Sequence, residues 1–398
     1  MAIDYVGTAA DRARQRARRA ARVHELSFLR RLDWLLVGGV GGIVGYGLYA
    51  IAGITHHDVA GNPHYYLLRQ AIFAAVGFFG LLVALAIDPA RYRRLWRPLY
   101  VGTVAVMLFV FLAGPVTRGS RRWLSLGFFR FQPSEFGKLI FVLAIAGFLA
   151  ERSRRLNDPR TTLGAVGLAA VPVVLVFIQP DFGTALVYAA ALAAVLFVSG
   201  TRWLSLGALG AVTTVAAVSV LWLLPAVGVH VLRPYQAQRL TGFTHPNADP
   251  AGATYNVAQS ITSVGAGGFR GRGVAGATQT NLDYLPEHAT DFVFASLAEE
   301  RGFVGAAILL CLYLLVVWRG LRIVTVARDL FSTIVAGGIV VAFLFQIFVN
   351  VGMTMGIAPI TGIPLPFVSV GGSSMIANLT AMGVLLAIHA RGTPYRRR

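Results

Sequence analysis

Four short stretches of the chain gather the acids, cations and amides that could move a proton or hold an anion. The first holds Arg118, Arg121, Arg122 and Trp123, then runs through Gln132-Pro-Ser-Glu135 to Lys138. Glu135 and Lys138 stand three apart, so on a helix they share a face and can meet. Read structurally they are an ion pair at a helix start; read functionally, the cluster is a cationic site for an anionic lipid headgroup. The second is Gln179-Pro-Asp181-Phe-Gly-Thr184, where Asp181 either caps the next helix or lines a polar cavity in an interrupted one. The third is a long polar segment carrying Arg233, Arg239, Gln259, Arg270, Arg272 and Asp283, which ends in Pro286-Glu-His-Ala-Thr-Asp291. An acid at a helix start is by default an N-cap; the company of Glu287 and Glu299-Glu300 raises Asp291 above that default. The fourth runs from Asn350 to Ser374 and is crowded with Gly, Pro and Ser. It cannot continue a helix through lipid, so it must be buried in protein or line a cavity.

These residue types can take a proton and stabilise an anionic leaving group, and other chemistries are poorly represented. The histidines show no metal-ligand spacing, Cys311 is the single cysteine, and no Ser-His-Asp set or G-x-S-x-G turn is present. Gly271-Arg-Gly-Val-Ala-Gly276 matches a nucleotide fingerprint in letters only, with no preceding buried strand; it is better read as glycines allowing close backbone approach to a ligand or membrane surface. No metal ligand is assigned, although Asp or Glu carboxylates could hold a divalent cation such as Mg or Mn.

The elements that must position these groups are membrane spans. Hydrophobic residues make up 56% of the 398 and charged residues only 13%, with mean hydropathy +0.67. That excludes an ordinary soluble enzyme and a disordered chain. The net charge of +18 alone would suit a nucleic-acid binder, but so apolar a chain points to a polytopic membrane protein with basic cytoplasmic loops and no nucleic-acid partner. Apolar runs of the length a bilayer needs lie near Trp34–Ile54, Ala71–Ile87, Leu99–Val116, Phe136–Ala150, Leu163–Ile178, Gly183–Gly200, Leu204–Val229, Phe303–Trp318, Phe331–Met353 and Ser373–His389. The expected fold is therefore all-α with ten transmembrane helices. Arginines crowd before span one and after spans two, four, six, eight and ten, which puts both termini in the cytoplasm. The chain divides into an Arg-rich arm (1–32), a single membrane domain (33–392) and a basic tail (393–398). A long external loop, about 230–291, joins helices 7 and 8; the Pro246-Asn-Ala-Asp-Pro250 turn and a short amphipathic helix near Tyr255–Val264 fall within it.

Five motifs, in order, carry a family resemblance: Arg-Arg-Trp-x-x-Leu-Gly with Gln-Pro-Ser-Glu-x-x-Lys, Gln-Pro-Asp-x-Gly-Thr, the Pro-Asn-Ala-Asp-Pro turn, Thr-Asp-Phe-x-Phe, and Pro-x-Thr-Gly-x-Pro-Leu-Pro-x-x-Ser-x-Gly-Gly-Ser-Ser. Together they resemble the SEDS family (shape, elongation, division and sporulation proteins) over roughly residues 33–392. The Arg-Leu-Asp-Trp start of the first span is more similar to its RodA-like, rod-shape branch than to its FtsW-like, division branch. The resemblance implies a peptidoglycan glycosyltransferase of the bacterial cytoplasmic membrane. It would polymerise lipid II, the undecaprenyl-pyrophosphate-linked disaccharide peptide, beside a class B penicillin-binding transpeptidase. It further implies that Asp291 is the essential acid and that Arg118 to Trp123, Glu135, Lys138 and Asp181 border a central cavity. On that footing Asp291 is expected to act as base, with Arg122, Lys138 and Arg239 as diphosphate contacts and Arg118, Arg121, Trp123, Glu135, Asp181, Gln259 and Glu287 completing the substrate-binding set. The sequence departs from the family at Ala289, where His usually precedes the Thr-Asp pair and His288 comes one position early, and at Val370, where many members have Tyr. Two rivals, a lipid-linked precursor flippase and an ion-coupled transporter, are disfavoured because most acids lie toward the outer face rather than the midplane.

Overall fold

The computed structural model describes residues 31–116, 120–127, 129–229 and 254–392. Arg118, Arg239, the Pro246–Pro250 turn, most of the arginine-rich arm and the 393–398 tail lie outside the described residues. Chain order gives α1 (Trp34–Ile54), α2 (Tyr65–Ala86), α3 (Pro89–Ala113), strands β1 (Leu124–Leu126) and β2 (Phe129–Phe131), α4 (Pro133–Glu151), α5 (Pro159–Ile178), α6 (Phe182–Val198) and α7 (Trp203–Ala226). After α7 come α8 (Tyr255–Gly267), two single-turn helices α9 (Gly273–Gly276) and α10 (Thr278–Asn281), then α11 (Val293–Val326), α12 (Leu330–Thr354) and α13 (Gly372–Gly392). Among the described residues nine helices are long and apolar enough to cross a membrane; α6 is the tenth apolar one. At 17 residues α6 is about 26 Å long, slightly short of a bilayer core of about 30 Å. The protein is thus an all-α polytopic membrane protein, and every apolar run read from the sequence coincides with a helix.

Aspartates start many of these helices. Asp33, Asp88, Asp158, Asp181 and Asp329 each accept a backbone amide from the first turn that follows, a cap worth about 1 kcal/mol. Pro89 and Pro159 occupy first helical positions, where the missing N–H costs nothing.

Three helices form the centre: 72% of α4, 78% of α12 and 83% of α13 is buried over the apolar window, against none of α7. Outward residues such as Leu163, Leu204 and Leu314, exposed by 72, 83 and 68%, form the face for lipid chains. Helix α2 lies along α13 at close range, and a β-carbon on Gly383 would overlap the Leu81 carbonyl oxygen; small residues permit such approach where lipid supplies no hydrophobic drive between helices.

Two features were not expected. A two-stranded antiparallel hairpin pairs Leu124 with Phe131 and Ser125 with Arg130, turning at Gly127 with φ +68°; strands this short leave no period-2 signal to read. Helix α11 is interrupted at Gly302 (φ +64°, ψ −165°). There Glu299 O accepts from Arg272 N, while Phe303 N and Val304 N donate to Gly268 O and Phe269 O. A β-carbon on Gly302 would overlap the Gly271 amide nitrogen, and one on Gly271 the Glu300 carbonyl oxygen. Gly271 therefore serves a backbone-to-backbone contact with α11, rather than the approach to a ligand or membrane surface expected of its stretch.

Candidate active site

The hairpin delivers Gln132 to the start of α4, and this residue organises the outer side of the site. Its backbone N–H donates to Ser373 Oγ at 2.9 Å, which in turn donates to Arg130 O. Its side-chain amide donates to Asp181 Oδ2 at 2.9 Å and to Ser134 Oγ at 3.1 Å, and its Oε1 accepts from Trp123 Nε1 at 3.1 Å. Asp181 is buried, caps α6 through Thr184 N at 3.2 Å, and lies 3.6 Å from a terminal guanidinium nitrogen of Arg122. Arg122 stacks 4.7 Å above the Trp123 ring and donates from Nε to Ser120 Oγ. The capping reading of Asp181 holds: Oδ1 caps the helix, while Oδ2 accepts from the Gln132 amide.

One turn deeper, Lys138 Nζ donates to Glu135 Oε2 and to Gln346 Oε1, both at 2.8 Å. All three side chains are buried, as a charged pair away from water must be if it is to persist. Beside them lies a cavity of about 30 Å³ lined by Glu135, Lys138, Gln346 and Asn378 among others, room for about one or two water molecules.

Asp291 reaches the same region through the Gly-Pro-Ser block. The position a β-carbon would take on Gly362 lies 3.4 Å from Asp291 Oδ2, and Gly362 has φ +69°. The preceding residue, Thr361, presses its carbonyl oxygen against Gly183, two residues after Asp181. The Thr361-Gly362 pair thus touches both the α6 start and the Asp291 carboxylate. Backbone bonds hold this arrangement. Asn350 Nδ2 donates to Asp291 O at 2.9 Å and to Ile363 O at 2.8 Å, Val370 N donates to Ala289 O at 2.9 Å, and Ser369 Oγ donates to Thr290 O. Beneath, Phe292 packs in a small core with Val257, Leu285, Met353 and Ile360. Asp291 itself is half-buried and the N-cap position of α11 belongs to Phe292.

The remaining expected residues divide. Glu287 accepts from Thr290 Oγ1 at 2.8 Å and so braces the segment that carries Asp291. Gln259 is half-buried on α8, whose Ser260 donates to Thr354 O. Arg121 is exposed and folds back to the Leu112 carbonyl at the end of α3, away from the Arg122–Asp181 pair. Glu299 accepts from Gln279 N, Thr280 N and Thr280 Oγ1 and so holds the segment at α10, while Glu300 packs against Gly53 of α1. Among the described residues no three His, Cys, Asp or Glu side chains gather into a metal-holding group.

Sequence reasoning passed over Gln132, Gln346 and Asn350 as participants although all three lie in or near the quoted stretches. It also passed over Asp58, which pairs with His288 across 230 positions. His288 is held above the usual histidine range: burial pulls its pKa down, but the Asp58 hydrogen bond and the negative charges of Asp58 and Asp283 outweigh that.

Comparison with known proteins agrees with this architecture. Residues 31–393 match the family described as cell cycle protein FtsW/RodA/SpoVE. The chain is 40% identical over 312 residues to the peptidoglycan glycosyltransferase MrdB of Escherichia coli (strain K12), covering 78% of this chain and 82% of that one. Its fold is similar to a chain from a peptidoglycan synthase complex described as coordinating polymerization and crosslinking, with TM-score 0.76 and 30% identity over 92% of this chain and 99% of the other. The rod shape determining protein RodA of Thermus thermophilus is similar at TM-score 0.66 and 27% identity, covering 92% and 98%.

Proposed function

The chain belongs to the FtsW/RodA/SpoVE family of cell cycle proteins, and from that premise we propose how it acts as a peptidoglycan glycosyltransferase. The observation that carries the proposal is the Thr361-Gly362 pair, which joins the Asp291 carboxylate to the Arg122–Gln132–Asp181 cluster. The substrate is lipid II. An acceptor sugar hydroxyl attacks the donor anomeric carbon; the new C–O bond forms as the bond to the diphosphate breaks, and the lipid diphosphate leaves with the electron pair. Asp291 takes the hydroxyl proton, a role worth about 10²–10⁴-fold in rate. Arg122, partly exposed above the Trp123 ring, meets the charge that develops on the departing diphosphate. Lys138 has two of its three N–H bonds committed to Glu135 and Gln346, so it contributes a buried positive potential and one remaining donor. Arg239 as a further diphosphate contact and Arg118 as a substrate-binding residue are proposed from the sequence alone.

The chain is a multi-pass membrane protein. We place it in the bacterial cytoplasmic membrane with ten spans, both termini inside and the site on the outer face, on the strength of the alternating arginine-rich segments. Elongation and cell shape are the proposed setting, with a class B penicillin-binding transpeptidase as partner. Against flippase and transporter readings stands the setting of the inner charges: Glu135 and Lys138 are paired and buried, whereas Asp291 is half open. The test is purified protein with lipid II. Asp291→Asn is expected to abolish polymer formation at unchanged expression, and retained activity would remove Asp291 as base.

A further inference from the structure

His288 stands three residues before Asp291 and points away from it, to a different part of the chain. Its Nε2 lies 3.0 and 3.2 Å from the two carboxylate oxygens of Asp58, in the external turn that follows α1. Its Nδ1 lies 3.3 Å from Leu285 O, and its own carbonyl accepts from Ser296 Oγ. Both side chains are largely shielded, at 11% exposure for His288 and 17% for Asp58. The next two residues are already anchored on the other side, Ala289 by Val370 N and Thr290 by Ser369 Oγ. Glu287, which precedes His288, has φ +56°, a conformation that a non-glycine residue holds only where its surroundings enforce it. The segment 287–291 is therefore gripped from the α12–α13 connection on one side and from the α1–α2 turn on the other. Only the second grip depends on charge.

We infer that His288 is a positioning residue for the glycosyl transfer, its pair with Asp58 fixing the backbone from which the Asp291 carboxylate reaches the acceptor hydroxyl. The inference rests on the reading of Asp291 as base. The charged groups that face the imidazole are Asp58 from the α1–α2 turn and Asp283 from the segment after α10; Glu287 and Asp291 flank it in its own segment. Ser296, its neighbour on α11, is uncharged, and His56 and His57 beside Asp58 are exposed and packed on each other. With acidic neighbours on both facing elements, the protonated ring is the form that clamps. Because its folded pKa is raised from 6.5, the clamp is intact below that value and is lost as pH rises through the folded pKa.

The test measures lipid II polymerisation by the purified full chain across pH, with KM and kcat separated. Wild type should show a fall in kcat toward alkaline pH. His288→Gln should lower kcat at neutral pH by about tenfold and flatten that fall, with KM within about twofold, a coupling of ordinary size for a partly buried pair. Asp58→Asn should shift the fall to lower pH, since it removes the charge of Asp58, and with it the charged hydrogen bond, which together hold the imidazole pKa up against burial. His288→Lys should keep its charge to higher pH and restore activity there. A His288→Gln enzyme with wild-type kcat, or an Asp58→Asn profile that does not move, overturns the inference. If His288→Gln is poorly produced, the Asp58→Asn profile decides alone. An Asp291→Asn enzyme that still polymerises would overturn the base assignment instead, so the two failures are read from different variants.

Discussion

Substituting Gly183 by Ala tests whether the link between the two halves of the site is mechanical. Gly183 lies in the first turn of α6, two residues after the Asp181 cap. A β-carbon there would overlap the Thr361 carbonyl oxygen and come within 2.7 Å of Ile363 Cγ1. Ordinary carbon contacts begin near 3.4 Å, so Ile363 must retreat by about 0.7 Å and the Thr361 carbonyl by about 1 Å. Thr361 is followed by Gly362, whose β-carbon position lies 3.4 Å from Asp291 Oδ2, so a shift of the Thr361 peptide is passed to the surroundings of that carboxylate. Asn350, bonded to both Asp291 O and Ile363 O, transmits the same displacement. A misplacement of about 1 Å at reacting groups costs about 10²-fold in rate. Gly183→Ala is therefore expected to lower kcat for lipid II polymerisation by about two orders of magnitude, with lipid II binding little changed because Arg122 and Lys138 stay in place. Gly167→Ala, with open space at its β-carbon position on α5, is the control and should match wild type. A folded Gly183→Ala protein that polymerises within twofold of wild type would refute the mechanical link.

Asp181→Ala removes a cap, the acceptor for Gln132 and the partner of Arg122. It should lower stability in detergent, by about 1 kcal/mol for the cap alone, read as a lower melting temperature, whereas Asp181→Asn keeps the cap and should lose lipid II affinity without that loss of stability. Arg319 pairs with Asp33 at 2.7 Å in a buried site at the α1 start. Arg319→Met strands that carboxylate and should cost about 3–5 kcal/mol in an unfolding assay, with much of the loss recovered in the Arg319→Met, Asp33→Asn double variant. If the double variant is as unstable as the single one, the stranded charge is not the cause.

Much of the scaffold could be read before any coordinates, because lipid forces the chain to declare its spans in composition: every apolar run became a helix, and Trp34–Ile54 did so with identical ends. The Asp181 cap and the Glu135–Lys138 pair were legible for a similar reason, since both are local contacts three residues apart. What escaped were contacts with no local trace. Gly183 against Thr361, Gln346 against Lys138 and Asp58 against His288 join positions about 180, 208 and 230 apart. Their residue types are ordinary, and only packing brings them together. The hairpin was missed because three residues per strand are too few for alternation to register. Arg121 was grouped with Arg122 through the family motif, yet its side chain turns to the Leu112 carbonyl of α3 instead, a separation of neighbours that residue types do not signal.

The exchange of backbone partners at Gly302 also bears on how the protein is made. A helix entering the bilayer normally satisfies its amides from its own preceding turns, and each amide left open in lipid costs several kcal/mol. Just past the interruption of α11, Phe303 and Val304 take their acceptors from Gly268 and Phe269 instead. Those acceptors belong to the segment that precedes α11 in the chain, so these amides of the span are satisfied only when that segment is folded against it. Gly271 and Gly302, which allow the contact, therefore couple the seating of a membrane helix to the folding of the loop before it. A substitution in that joint is expected to strand amides of the span and to lower the yield of folded protein in membranes.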